Sequence, residues 1–130
     1  MMTQTLNEVN GMDINRMIER IKAHPDFHKA GMIASHLGIV RSFSREGKAV
    51  SGVDVHFDSK KIQEIVRYIR SRPGIVDILI ETNSGYLKVG DDILAVVVAG
   101  DIRDRVFPAL IDAVNRIKSE AATKEENLIS

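Results

Sequence analysis

The chain has 130 residues, is 44% hydrophobic, contains no cysteine, and balances 18 basic against 18 acidic side chains. That length supports one domain with a core of its own and leaves no room for a second. Zero net charge excludes a global field that would draw the protein onto nucleic acid or an anionic membrane, and the missing thiols exclude disulfides, thiolate metal sites and a cysteine nucleophile.

The opening stretch MMTQTLNEVNG lacks a charged start followed by an apolar segment, and no apolar run approaches a membrane span, so a cytoplasmic protein is expected. Residues 1–11 read as a loose tail. Asp13 is a good N-cap for a short helix in which Ile14, Met17, Ile18 and Ile21 recur at helical spacing, and Pro25 ends it. GMIASHLGIVRSF, residues 31–43, reads as a strand that turns at SREGK and returns through Val53, Val55 and Phe57, alternating with Asp54 and His56, as a hairpin. Asp58 or Ser59 caps the next helix, with Ile62, Ile65, Val66 and Ile69 as its apolar stripe, and Pro73 and Gly74 stop it. IVDILIE and DILAVVVAG are two more strands joined by TNSGYLKVGD, the second apolar enough to lie mid-sheet. The last helix, about 102–118, aligns Ile102, Val106, Leu110, Ala113 and Ile117, and Pro108 within it predicts a kink or a later start.

The predicted order α-β-β-α-β-β-α makes an α+β sandwich, a largely antiparallel sheet packed with helices. It implies a tail over 1–11, a single domain over 12–120 and a second tail over 121–130. Asp101, Arg103, Asp104 and Arg105 follow the apolar strand directly, at a junction where free N–H groups and the positive end of a helix dipole point outward. Two readings stand: Asp101 caps those groups and the arginines are solvated partners, or Arg103 is an anion ligand whose planar fork holds two phosphate oxygens. The histidines offer little metal chemistry. Pro25 spoils the i, i+4 pair His24 and His28, and His36 with His56 across the hairpin, beside Asp54, would make an open, incomplete cluster. Walker and Rossmann glycine spacings are absent.

The segment GYLKVGDDILAVVVAGDIRDRVFPALIDAVNRIKSE, residues 85–120, resembles the carboxy-terminal half of the molybdopterin synthase catalytic (large) subunit family: a Gly-x-Leu-x-Val-Gly-Asp turn, an apolar strand, a His-Arg pair and a helix ending in lysine. GIVRSFSREGKAVSGVDV is similar to that family's earlier segment, in which a strand ends in Val-Arg before a polar loop. The resemblance implies an α/β hammerhead fold, a homodimer, and one small ubiquitin-like sulfur carrier per large subunit. The carrier's Gly-Gly tail, as a thiocarboxylate, enters a pocket, and two deliveries of sulfur convert cyclic pyranopterin monophosphate into the dithiolene of molybdopterin. No metal or cofactor of the protein's own is implied, and the lack of cysteine fits sulfur brought from outside. By resemblance Arg41 and Arg103 contact the anionic pterin, Arg103 from the partner subunit. Lys118 matches the catalytic lysine, which would polarise or protonate the reacting oxygen, or stabilise charge as sulfur adds and water leaves, and would lie buried beside the arginines. Lys124 matches a second lysine of the family's tail. The chain departs from the pattern at Ile102, where the family usually has histidine, at EAAT, which replaces a Pro-aromatic pair, and at HFDSKKI. A non-catalytic dimeric relative that binds pterin or carrier on the same fold is the alternative.

Overall fold

A computed structural model describes residues 12–129; the expected tail 1–11 lies outside the described residues. In chain order the elements are α1 (Ile14–Lys22), a 3-10 turn (Phe27–Lys29), β1 (Met32–Ile39), β2 (Val50–Phe57), α2 (Ser59–Arg70), β3 (Ile75–Thr82), β4 (Gly85–Lys88), β5 (Asp92–Gly100), α3 (Arg103–Arg116), a π turn (Ile117–Ala121) and β6 (Ala122–Leu128). They form two antiparallel sheets, β1-β5-β3 and β4-β2-β6, within the α+β class expected.

The helix starts follow local chemistry. The Asp13 carboxylate accepts the Arg16 N–H at 3.0 Å, and the Asp58 carboxylate accepts those of Lys60 and Lys61 at 2.9 and 3.2 Å. β5 is apolar after Asp92 because both of its faces are covered. Ala95, Val97 and Ala99 pack with Met17 and Ile21 of α1, while Leu94, Val96 and Val98 turn toward the main core with Ile65, Ile69, Val106 and Ala113 of α2 and α3. The alternation read in β2 is real, with Val53, Val55 and Phe57 buried and Asp54 and His56 exposed between them.

Three expectations need correcting. β1 and β2 do not form a hairpin: β1 pairs with β5 and β2 with β4 and β6, so the strands diverge into different sheets. Only the tip turns back tightly, with Ser44 N–H donating to Lys48 O at 2.8 Å and an isolated bridge between Phe43 and Ala49. His36 and His56 are thereby separated, facing Val96 and Thr123 respectively. Residues read as a C-terminal tail contain β6, which takes up the free edge of β2 through a register from Phe57↔Ala122 to Val50↔Leu128. α3 begins at Arg103 and runs through Pro108 to Arg116, so the later start does not occur.

The motif GYLKVGD is a strand and turn with a structural task. Leu87 is buried, Gly90 takes φ +94°, and the turn closes through Asp91 N–H to Lys88 O at 2.9 Å and Lys88 N–H to the Asp91 carboxylate at 2.8 Å. Val40 is clamped against it, donating to Asp91 O at 2.9 Å and accepting from Gly90 N–H at 2.8 Å. That fixes the chain just before Arg41.

Candidate functional site

The topology decides which of the four basic residues can meet. β1 runs from the Gly100 end of β5 toward Val40, β5 returns antiparallel to it, and α3 then travels back along the core face of the sheet. Arg103, the first residue of α3, therefore stands at one end of β1, while Arg41 and the π turn carrying Lys118 stand at the other. Eight residues of strand separate the two ends by roughly 25 Å. Within one chain Arg41 and Arg103 do not share a hollow.

At the first end, Arg41 is exposed and lies with its guanidinium 5.0 Å from the centre of the Phe43 ring. Lys118 is exposed too, where the sequence reading expected burial among arginines. The group its charge reaches is His36, on the core face of β1 with Ala34. Burial, and secondarily the positive Lys118, hold the His36 pKa below its ordinary value, so the ring is neutral near pH 7. Its Nε2 is buried and has no hydrogen-bond partner among the described residues. The turn beneath Lys118 is fixed by Arg116, which pairs with Asp112 at 3.2 Å and Glu120 at 3.6 Å and stacks 4.2 Å over the Tyr68 ring. Arg72 adds a 3.0 Å ion pair to the same Asp112. Lys124 lies beyond the turn, exposed on β6 opposite Val55.

At the second end, Gly31, Met32, Asp101, Ile102, Arg103, Asp104 and Phe107 line an open hollow of about 590 Å³. Asp101 is not the cap of α3. Its carboxylate accepts the Ile102 N–H at 2.7 Å and pairs with Arg105 at 3.0 Å, and the N-cap position is Ile102, which has no capping side chain. The first N–H groups of α3 thus open toward the hollow. Arg103 makes no ion pair or hydrogen bond among the described residues, so its fork is available. Beside it Ile102 and Phe107, which line the hollow, and Ile111, one turn beyond Phe107 on α3, expose 50, 48 and 60% of their surface.

No group of three or more His, Asp or Glu side chains suited to a metal ion occurs among the described residues. Nor is any described helix long and apolar enough to cross a membrane. The residue that sequence reasoning passed over is His36, weighed only as a metal ligand; its signal was a polar ring on an inward position of an apolar strand.

Comparison with known proteins agrees with this architecture. The family described as MoaE protein matches residues 8–120. A probable molybdopterin synthase of Haloferax volcanii is 28% identical over 113 residues, which are 82% of this chain and 43% of that protein, so the chain spans under half the length of this relative. Molybdopterin cofactor biosynthesis protein E from Burkholderia multivorans superimposes with a TM-score of 0.72 at 26% identity, covering 91% of this chain and 82% of that one. A complex of subunits 1 and 2 of the molybdopterin-converting factor from Helicobacter pylori shares the fold at a TM-score of 0.67 and 13% identity, with 90% and 80% covered. With the match running over most of its length, the chain belongs to the MoaE family.

Proposed function

We propose that this chain is the large subunit of molybdopterin synthase, a sulfurtransferase that acts in the cytoplasm and in molybdenum cofactor biosynthesis. It takes sulfur from the thiocarboxylated Gly-Gly tail of a small ubiquitin-like carrier and transfers it to cyclic pyranopterin monophosphate. Lys118 is the catalytic lysine, Arg41 and Arg103 hold the anionic pterin, and Lys124 assists. Family membership and the probable molybdopterin synthase among the relatives support the reading, as does the subunit pairing named for the Helicobacter complex.

The observation that carries it is the location of Lys118 and Arg41 at one end of β1 with Arg103, unpaired among the described residues, at the other. Three cations for one substrate require a second copy to bring Arg103 to its partner's Arg41. β1 is an edge strand with its outer side unpaired among the described residues, and Ile102 and Phe107 lie exposed at its Arg103 end. Two copies related by a two-fold axis perpendicular to that edge run antiparallel, which sets the Arg41 end of one against the Arg103 end of the other. The thiocarboxylate sulfur then bonds to a pterin carbon next to Lys118, whose ammonium gives a proton to the oxygen leaving that carbon as water; a second water hydrolyses the resulting thioester, freeing the carrier as its carboxylate and leaving the sulfur on the pterin, while the arginines neutralise the phosphate. Ile102, in place of a histidine, adds no acid or base at this junction.

The test is direct reconstitution. Purified protein mixed with thiocarboxylated carrier and cyclic pyranopterin monophosphate should yield molybdopterin, and Lys118→Ala should not. Binding of pterin and carrier with no product from wild-type protein would favour the non-catalytic relative instead.

A further inference from the structure

The end of α3 has an unusual construction. At Arg116 the helix widens into the π turn Ile117–Ala121, a pattern that is rare and frequently marks functional sites. Ile117 and Ala121 are buried, and the residues between them, Lys118, Ser119 and Glu120, are exposed. Both ends of the turn are fastened to α2. At the far end the Asp58 N–H, from the N-cap position of α2, donates to Ala121 O at 2.8 Å. At the near end Arg116 joins three elements: its guanidinium pairs with Asp112 of α3 at 3.2 Å and with Glu120 of the turn at 3.6 Å, and it stacks 4.2 Å over the Tyr68 ring of α2. Arg72, just past the end of α2, also pairs with Asp112, at 3.0 Å. A single ion pair at such exposure contributes little. Here the side chains share one network, so Arg116 cannot move without breaking several contacts at once. Lys118 stands midway in the chain between Arg116 and Glu120, whose side chains are joined, and its own ammonium makes no ion pair or hydrogen bond among the described residues.

We infer that Arg116 is a positioning residue for Lys118: by tying Tyr68 of α2, Asp112 of α3 and Glu120 of the turn to one guanidinium, it fixes the backbone from which the lysine reaches the reacting oxygen. This rests on the reading of Lys118 as the catalytic lysine. The lysine stem is flexible, so the one part of its path the protein can set beforehand is the point where it leaves the chain. A planar fork that pairs and stacks together suits that task, and a lysine in its place would keep the charge but lose the fork and the stacking.

The experiment uses the whole protein with thiocarboxylated carrier and cyclic pyranopterin monophosphate, at a temperature where every variant is fully folded. Arg116→Ala should lower kcat by roughly 10-fold, less than a full ångström of misplacement costs, and change KM for the pterin by less than about threefold. Arg116→Lys should stay closer to alanine than to wild type. Tyr68→Phe keeps the ring under the guanidinium and should match wild type, whereas Tyr68→Ala should lose part of the same kcat and serves in place of Arg116→Ala if that variant does not fold. Amide hydrogen exchange should quicken by roughly 10-fold over residues 118–121 in Arg116→Ala and stay unchanged in β5, a local loosening that a uniform loss of stability would not give. Wild-type kcat in Arg116→Ala, alongside an inactive Lys118→Ala, would overturn the inference and leave the function standing. A raised KM at unchanged kcat would make Arg116 a binding residue, and faster exchange throughout the fold would make it merely structural; either overturns the inference. Full activity of Lys118→Ala would remove the functional reading, and this inference with it.

Discussion

The two ends of β1 are built on opposite plans. At the Arg41 end a glycine turn clamps Val40, an ion-paired arginine braces the π turn, and a half-buried histidine lies under the field of Lys118. At the Arg103 end there is an open hollow, a helix start with no capping side chain, an arginine unpaired among the described residues, and exposed apolar side chains at Ile102 and Phe107. The first end is rigid and chemically equipped; the second holds a charge and a sticky surface. On the function proposed above, the difference teaches that one chain would carry two unequal halves of a site, each completed by the other half from a second copy.

The largest effect should come from the equipped end. Lys118→Ala removes the group assigned to proton donation, and molybdopterin formation should fall at least ~100-fold in a discontinuous product assay. Circular dichroism should be unchanged, because the side chain is exposed.

A sharper test of the two-halves idea is complementation. Arg41→Ala and Arg103→Ala should each lose roughly 10- to 100-fold in kcat/KM as separate proteins, in line with losing a charge-assisted contact. Mixed and allowed to exchange subunits, they should recover about a quarter of wild-type activity. Half of the dimers are then hybrids, and each hybrid has one site with both arginines and one with neither. No recovery, despite exchange shown by mass spectrometry, would mean that the arginines serve the same chain or separate purposes.

A third expectation concerns the clamp. Gly90→Ala forces a side chain into φ +94°, which should cost about 1–2 kcal/mol in denaturant unfolding. Because Gly90 N–H holds Val40 O, the variant should also raise KM for the pterin more than a mutation of equal cost elsewhere in the fold. Ala95→Gly on the α1 side of the sheet, destabilising by a similar amount, serves as the control.

What could be read from the sequence divides along physical lines. Helix caps at Asp13 and Asp58, the stripe of α2 and the doubly buried β5 are local or periodic signals, and they were legible. Strand partnership was not. β1 and β2 are adjacent in sequence and joined by a tight tip, yet their ladders belong to β5 and to β4 and β6, a choice made by long-range packing that no short window contains. β6 was missed because ATKEENL carries hardly any apolar alternation; it is an edge strand held by its backbone pairing with β2. The basic residues were found through a family resemblance, whereas their distribution over the two ends of β1 needed the topology. Asp101 looked like a cap, but it spends its carboxylate on Ile102 and Arg105.

The smallest effect is electrostatic and belongs to the equipped end alone. The His36 pKa is lowered in the folded protein, so below about pH 6.5 the unfolded chain binds more protons at this position than the native state does. The stabilisation is fully present above that pH and is lost as pH falls toward the folded value. Wild-type protein should therefore lose more stability between pH 7 and pH 5 than His36→Phe, read as the difference in urea midpoints at the two pH values. Burial outranks Lys118 as the cause of the shift, and the two can be separated. In Lys118→Ala, the histidine titration followed by NMR should move only part of the way back toward the ordinary value. A full return would mean that the lysine's charge, rather than the dry setting of the ring, keeps His36 neutral.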